Sequence, residues 1–164
     1  MNSIMTLKEG KVDLAVVSAS CNISSPLKMR RVLGYQDILI GGTKYQELKG
    51  KRISLEKLSE YPWISLTSES ITRNFLNEYF EEHGLQFSPH VELSTTDMIL
   101  PVVRHNLGIG FIPAELVKAD LLAGTVFEIK VEETMPERDI ILIYDTEYPQ
   151  SIASKEFQKF LAER

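Results

Sequence analysis

Residues 94–113, STTDMILPVVRHNLGIGFIP, predict a helix, a tight turn and a short buried strand that ends on a proline. Apolar residues recur at helical spacing through the first half of this stretch. Asn106 follows the last of them, where a helix often ends in a left-handed residue. Gly108 and Gly110 let the backbone pass close to a packed helix or to a ligand. Because many α/β proteins build a small-molecule cleft in this way, the stretch indicates a binding site, and it carries no catalytic group.

Length and composition limit the chain to one domain, or two small lobes, of a globular protein. It has 164 residues, of which 43% are hydrophobic and 25% are charged. The formal net charge of −5 argues against binding nucleic acid by itself, which requires a basic surface. The sequence has neither the pattern of a signal peptide nor an apolar run of the ~18 residues that a membrane span needs. Since Cys21 is the only cysteine, no internal disulfide can form, and we expect a cytoplasmic domain. We also expect no membrane partner, because no apolar run is long enough to span a bilayer.

Apolar runs alternate along the chain with amphipathic segments. The strands predicted from the apolar runs are 12–17, 38–40, 63–66, 91–93, 126–131 and 139–144. The predicted helices are a partial one that stops at Gly10, followed by 51–61, 71–82, 94–105 and 151–162. In the last helix the residues predicted to face inward are Ile152, Phe157, Phe160 and Leu161. Strands that alternate with helices predict an α/β fold with largely parallel sheets.

A series of segments, in order and covering nearly the whole chain, carries a family pattern. The segments are LKEGKVDLAVVS (7–18), YQDILIGGTKYQEL (35–48), ISLEKLSEYPWISLTSES (53–70), NLGIGFIP (106–113) and ERDIILIYDTEYPQSIASKEFQKFL (137–161). Together they resemble the effector-binding domain of LysR-type transcriptional regulators. Each segment alone is weakly specific, whereas the series is fairly specific. Asn106 stands where that family usually has glycine, which is compatible with a left-handed helix end.

The resemblance implies a fold like that of type 2 periplasmic binding proteins, with two α/β lobes joined by two crossover strands. The first lobe would comprise residues 1–39 and 139–164, and the second lobe residues 40–138. Members of the family also carry a winged helix-turn-helix, a linker helix and an opening β-α-β unit, and no such segments precede Met1 here. We therefore expect the first lobe to be incomplete, and DNA to be bound only through a region absent from this chain.

The resemblance also implies an effector site between the lobes, where strand ends and helix N-termini suit a small anionic or carboxylate metabolite. The candidate contacts carried over by position are Ser18, Ser65, Leu66, Thr67, Ser68, Phe111 and Ile112. The competing interpretations are that Ser18 is a solvated turn residue, that Phe111 is core or cleft wall, and that Ser68 and Ser70 only cap their own helix. Ser94 and Thr95 offer N-cap oxygens to the next helix in the same manner.

Residues that would support catalysis or a cofactor are poorly arranged. The three histidines, His83, His90 and His105, lie far apart and lack metal-ligand spacing. No base is positioned to activate Cys21 as a nucleophile. The GIG sequence at Gly108 lacks the third glycine and the preceding strand of a dinucleotide-binding motif. The sequence therefore predicts no enzyme activity, no metal and no cofactor.

The sequence is best interpreted as the small-molecule effector (co-inducer) domain of a LysR-family regulator, lacking the DNA-binding winged helix-turn-helix. Binding would act by linkage, since a metabolite that favours one conformation biases how the full-length oligomer binds DNA. A homo-oligomer is expected, and the apolar face of helix 71–82 is a candidate subunit contact. The alternatives are a solute-binding protein of the same fold and, less favoured, a two-lobe enzyme.

Overall fold

A computed structural model describes residues 3–18 and 25–162 of the chain, so Cys21 lies outside the described residues. The strands are β1 Leu14–Ser18, β2 Leu27–Tyr35, β3 Asp37–Gly42, β4 Arg52–Ile53, β5 Trp63–Leu66, β6 Val91–Leu93, β7 Ile109–Pro113, β8 Val126–Val131 and β9 Arg138–Asp145. The α-helices are α1 Ser3–Lys8, α2 Leu55–Leu58, α3 Ile71–Glu82, α4 Ile99–Arg104, α5 Lys118–Ala123 and α6 Ile152–Ala162, with 3-10 helices at Thr43–Leu48, Thr96–Met98 and Ala114–Val117. Among the described residues, every helix is too short or too polar to span a membrane.

The chain divides into two compact units, Met1–Gly34 with Arg138–Arg164, and Tyr35–Glu137. The first unit is built on a three-stranded sheet in the order β1-β9-β2. Strand β1 runs antiparallel to β9, with Val16 opposite Leu142. A small apolar cluster holds α1 to this sheet through Leu7, Ala15, Leu27, Ile141 and Ile143. The partial helix and the core strand predicted for the start of the chain are therefore both present.

The second unit is built on a six-stranded sheet in the order β4-β8-β3-β7-β5-β6. Strands β5, β6 and β7 are parallel to one another, whereas β3 is antiparallel to both of its neighbours, β7 and β8. The predicted α/β class is confirmed, but the prediction of largely parallel sheets is wrong for β3 and for the pairing of β1 with β9. These antiparallel neighbours are far apart in sequence, so the alternation of helices and strands does not reveal their direction.

Aromatic side chains fill the core between the second sheet and α3. Trp63 stacks on Phe111 with ring centroids 5.6 Å apart, and its edge meets Phe80 at 5.4 Å. Leu76, Tyr79 and Phe80 of α3 are each at most 2% exposed, so the apolar face of this helix is used within its own unit. Ile71, at the start of the same face, is 49% exposed, and the hypothesis that this helix contacts a second subunit stays a prediction.

Gly108 and Gly110 allow the backbone of β7 to lie directly against β5. The Ile109 amide donates to the Pro62 carbonyl at 2.9 Å, and a side chain at Gly108 would overlap that same oxygen. The close approach is thus to a neighbouring strand, with no ligand needed to explain it. The predicted left-handed residue before this strand is confirmed, because Asn106 has φ = +63°. Its side-chain Oδ1 accepts a hydrogen bond from the Lys44 amide at 2.8 Å, which a glycine would not provide.

The last helix, α6, does not pack as its apolar pattern predicts. Ile152, Phe157 and Phe160 are 82%, 41% and 50% exposed, and the buried residue of the helix is Ser154. Ser154 is 5% exposed, so the face of α6 that carries it contacts the rest of the unit and the large apolar residues lie on other faces. The prediction that these three residues face inward is therefore wrong.

Candidate small-molecule binding site

Two loops lie side by side at the carboxyl ends of parallel strands in the second unit. The register pairs Leu66 of β5 with Leu93 of β6, so both strands end at the same edge of the sheet. The Thr67 amide donates to the Leu93 carbonyl at 3.1 Å and ties the two loops together. Ligands of open α/β sheets bind outside the carboxyl ends of the strands. We call this region the carboxyl edge; it comprises residues 65–70 and 94–97.

The predicted contacts from β5 differ in how far they reach solvent. Ser65 is 1% exposed and Leu66 is also buried, whereas Thr67 is half-buried and Ser68 is exposed. Because side chains alternate along a strand, Ser65 lies on the same face as Trp63 and Leu66 on the opposite face. Leu66 accordingly belongs to a separate apolar cluster from Trp63. Thr67 and Ser68 are therefore the members of this group whose side chains are accessible from outside.

The predicted contacts from β7 lie in the core. The ring of Phe111 packs between Trp63 and Tyr79, and Ile112 is buried on the other face of the sheet. Burial, followed by the charge of Glu133, raises the pKa of Tyr79 to about 12, so its phenol is neutral at physiological pH. Its hydroxyl donates to the Glu133 carbonyl at 3.2 Å. These aromatic residues belong to the apolar core of the second unit, as the competing interpretation of Phe111 expects.

The Ser65 hydroxyl is buried without a hydrogen-bond partner among the residues that the structure describes. It lies on the same face of β5 as Trp63, whose ring packs against Phe80 of α3. Leaving a buried polar group unpaired costs roughly 1–3 kcal/mol. An unpaired hydroxyl at the end of a strand is therefore a candidate ligand contact, because a polar ligand atom would remove this cost.

The interpretation that hydroxyl side chains of the two loops serve as helix caps is wrong for Ser70 and Thr95. Both residues have the extended backbone of an N-cap position, yet neither side chain makes a capping hydrogen bond. Sequence reasoning assigned these oxygens to the helices because Ser and Thr are preferred N-cap residues. Their hydroxyl groups remain available for other interactions.

Arg73 fixes the end of β5 and was not found by sequence reasoning. Its Nη1 donates to the Leu66 carbonyl at 3.2 Å and to Glu92 Oε1 at 2.8 Å, and its Nε donates to Asn77 Oδ1 at 3.0 Å. The guanidinium also lies over the ring of Phe87, 5.2 Å from its centroid. Arg73 could have been found from the sequence because it falls on the apolar face of a predicted helix. A charge buried there needs a partner.

Ser18 ends β1 in the first unit. Its Oγ accepts a hydrogen bond from Arg138 Nη2 at 3.0 Å, and Arg138 is itself buried. Ser18 is thus a hydrogen-bonded strand residue, so the interpretation as a solvated turn residue is wrong.

The first unit also has a small pocket, of about 90 Å³, next to Asp13 and Asp145. Asp13 Oδ2 accepts from the Ser151 amide at 3.1 Å, and hydrogen bonds from Ser151 lower the pKa of Asp13. Asp145 Oδ1 accepts from the Glu147 amide at 2.8 Å. This pocket is well below the roughly 300–1,000 Å³ of a typical ligand site. Within residues 3–18 and 25–162, no group of histidine, cysteine and acidic side chains is arranged to hold a metal ion.

Known proteins similar to this chain are regulators of transcription. A family model described as the LysR substrate binding domain matches residues 2–164. The chain is 27% identical over 135 residues to the HTH-type transcriptional activator CmpR of Synechocystis sp. (strain ATCC 27184 / PCC 6803 / Kazusa), which covers 82% of the chain and 44% of that protein. The chain spans about half or less of the length of the curated relatives it matches.

Solved structures with the same fold include ligand complexes. The regulatory domain of CcmR from Synechocystis PCC6803, in complex with 2-PG, superposes with a TM-score of 0.81 at 16% identity, covering 96% of this chain and 76% of that one. The effector binding domain of QuiR, in complex with shikimate, has a TM-score of 0.79 at 21% identity, covering 96% and 74%. The predicted fold, like that of type 2 periplasmic binding proteins, is confirmed.

Proposed function

The chain belongs to the LysR substrate-binding domain family, and on this basis we propose that it binds a small anionic metabolite and transmits binding to a transcriptional regulator. The observation that carries the proposal is the buried, unpaired hydroxyl of Ser65 at the end of a parallel strand. The names of the relatives support a regulatory role, and the 2-PG and shikimate complexes support a small-molecule ligand.

In this proposal the metabolite contacts Ser65, Thr67 and Ser68 through hydroxyl groups, with Leu66 contributing its backbone. Phe111 and Ile112 hold this edge in place. In this proposal the lobes are the two compact units, Met1–Gly34 with Arg138–Arg164, and Tyr35–Glu137. A ligand that binds one conformation more tightly than another shifts the population toward it, which is sufficient to alter an attached DNA-binding region.

We further propose that the protein acts in the cytoplasm as a homo-oligomer and that a region outside this chain contacts DNA. The net charge of −5 supports a DNA-binding region outside this chain, because DNA binding depends on basic side chains that contact phosphates. The proposal includes no catalytic step, metal or cofactor.

The proposal is tested by the fluorescence of Trp63, the only tryptophan in the chain. This buried residue lies two positions from Ser65 on the same strand face, so ligand binding at the carboxyl edge is expected to change its emission. The titrants are small carboxylates, amino acids and inorganic anions. We expect saturable binding of at least one titrant, and an affinity about tenfold or more weaker in Thr67→Val, because a hydrogen bond to a charged group contributes roughly 1.5–3 kcal/mol.

Thr43→Val is the matched control, because Thr43 is an exposed threonine of the same unit outside the carboxyl edge. Its affinity should equal that of the unmodified protein. The proposal is contradicted if no titrant binds to the folded protein, or if Thr67→Val and Ser68→Ala bind as tightly as the control.

A further inference from the structure

The loop after β6 repeats the chemistry of the loop after β5. Leu66 is followed by Thr-Ser-Glu-Ser, and its register partner Leu93 is followed by Ser-Thr-Thr-Asp. The strands are adjacent and parallel, so the two hydroxyl-rich runs leave the sheet side by side. The two loops are far apart in the sequence, and the pairing of β5 with β6 brings them together. The sequence indicated a binding site within the stretch 94–113 as a whole, but it assigned Ser94 and Thr95 only to helix capping.

The hydroxyl groups of both loops have no hydrogen-bond partner within the described part of the chain. The side chains concerned are Thr67, Ser68, Ser70, Ser94, Thr95 and Thr96, and none of them makes a hydrogen bond there. Ser65, beneath them, adds a hydroxyl that is buried and unpaired. A ligand at this edge therefore has donors and acceptors available from both loops, and not from the first loop alone.

The charges at the carboxyl edge limit the kind of ligand that fits. Glu69 and Asp97 each follow a hydroxyl run, and neither has an ion-pair partner among the described residues. The nearby cation, Arg73, is already paired with Glu92 at 2.8 Å. A carboxylate side chain accepts hydrogen bonds and repels a bare anion, so a ligand beside Asp97 must present a donor such as a hydroxyl group.

We propose that residues Ser94–Thr96 form the second half of the binding site and that the ligand is a small hydroxycarboxylate. The inference rests on the proposed function, because it concerns the same site. The carboxylate of the ligand accepts hydrogen bonds from Ser65 and from the loop after β5. Its hydroxyl group donates to the Asp97 carboxylate and accepts hydrogen bonds from the hydroxyl groups of Thr95 and Thr96. The hydroxyl group thus separates true ligands from simple carboxylates of the same size.

The test uses two matched pairs of probes, lactate against propionate and malate against succinate, which differ by one hydroxyl group. Affinities are measured by calorimetry on the whole chain, with Thr95→Val/Thr96→Val as the variant and Thr43→Val as the control. We expect at least one hydroxy acid to bind about tenfold or more tightly than its partner, since a site built for a hydroxyl discriminates against its absence. In the variant, the hydroxy acid should fall to the affinity of its partner, whose own affinity is unchanged.

The outcomes distinguish the two proposals. If Thr67→Val loses affinity while Thr95→Val/Thr96→Val binds like the control, the inference about the second loop is overturned and the proposed function stands. If both members of each pair bind equally well to the unmodified protein, the hydroxycarboxylate assignment is overturned. If neither pair binds to the folded chain, the inference is overturned, and the wider titration by Trp63 fluorescence decides the proposed function separately.

Discussion

Gly108→Ala is expected to lower the free energy of unfolding by about 3 kcal/mol or more. The methyl group would overlap the Pro62 carbonyl oxygen, which is backbone and cannot rotate away. The same oxygen accepts the Ile109 amide at 2.9 Å, so moving it also breaks the pairing of β5 with β7. Because the core ring of Trp63 lies on β5, its fluorescence during urea denaturation measures the loss directly.

Gly84→Ala is the matched control for this substitution. Gly84 has φ = +74° and open space around it, so an alanine there meets backbone strain without a clash. The expected cost is about 1–2 kcal/mol. Equal costs at the two glycines would show that β7 can move away from β5, and would contradict the packing described for these strands.

Phe80→Ala is expected to destabilise the second unit by about 3–5 kcal/mol, since it removes a large buried ring and leaves a cavity. Phe80 is 1% exposed, and its ring meets Trp63 at 5.4 Å and Phe87 at 4.5 Å. The loss should be visible in urea denaturation and as a change in the Trp63 emission of the folded protein, because the indole loses an aromatic neighbour.

Phe157→Ala provides the comparison for the same change on an amphipathic helix. Phe157 of α6 is 41% exposed, so the expected cost is well below that of Phe80→Ala, at about 1 kcal/mol. A cost at Phe157 as large as at Phe80 would mean that α6 packs through its aromatic residues, as the sequence pattern suggested.

Elements bounded by clear turn signals were predictable from the sequence, including the edge strands β1 and β6, whereas β2 was not. β5 and β8 lie where apolar runs between polar or glycine segments predict them. β2 has no counterpart among the predicted strands, because its residues Leu27–Tyr35 mix cationic and apolar side chains that do not alternate regularly. The orientation of α6 was also missed, since an apolar pattern cannot show that a small serine forms the contact face.

The sequence identified candidate site residues within one segment of the chain, but it did not show which two segments lie together. The hydroxyl residues after β5 were identified from their place at the end of a strand. The pairing of β5 with β6, which sets residues 94–96 beside them, depends on contacts that sequence periodicity does not encode. The N-cap preferences of Ser70 and Thr95 pointed to local roles, whereas the structure leaves both side chains without a capping hydrogen bond.

The most direct test of a ligand site at the carboxyl edge is an amide chemical-shift titration by NMR, with the carboxylate that binds best. The account predicts progressive, saturable shifts for the amides of residues 65–70 and 94–97, and for the indole of Trp63. Shifts confined to other residues, such as those around Asp13 and Tyr148 in the first unit, would contradict it.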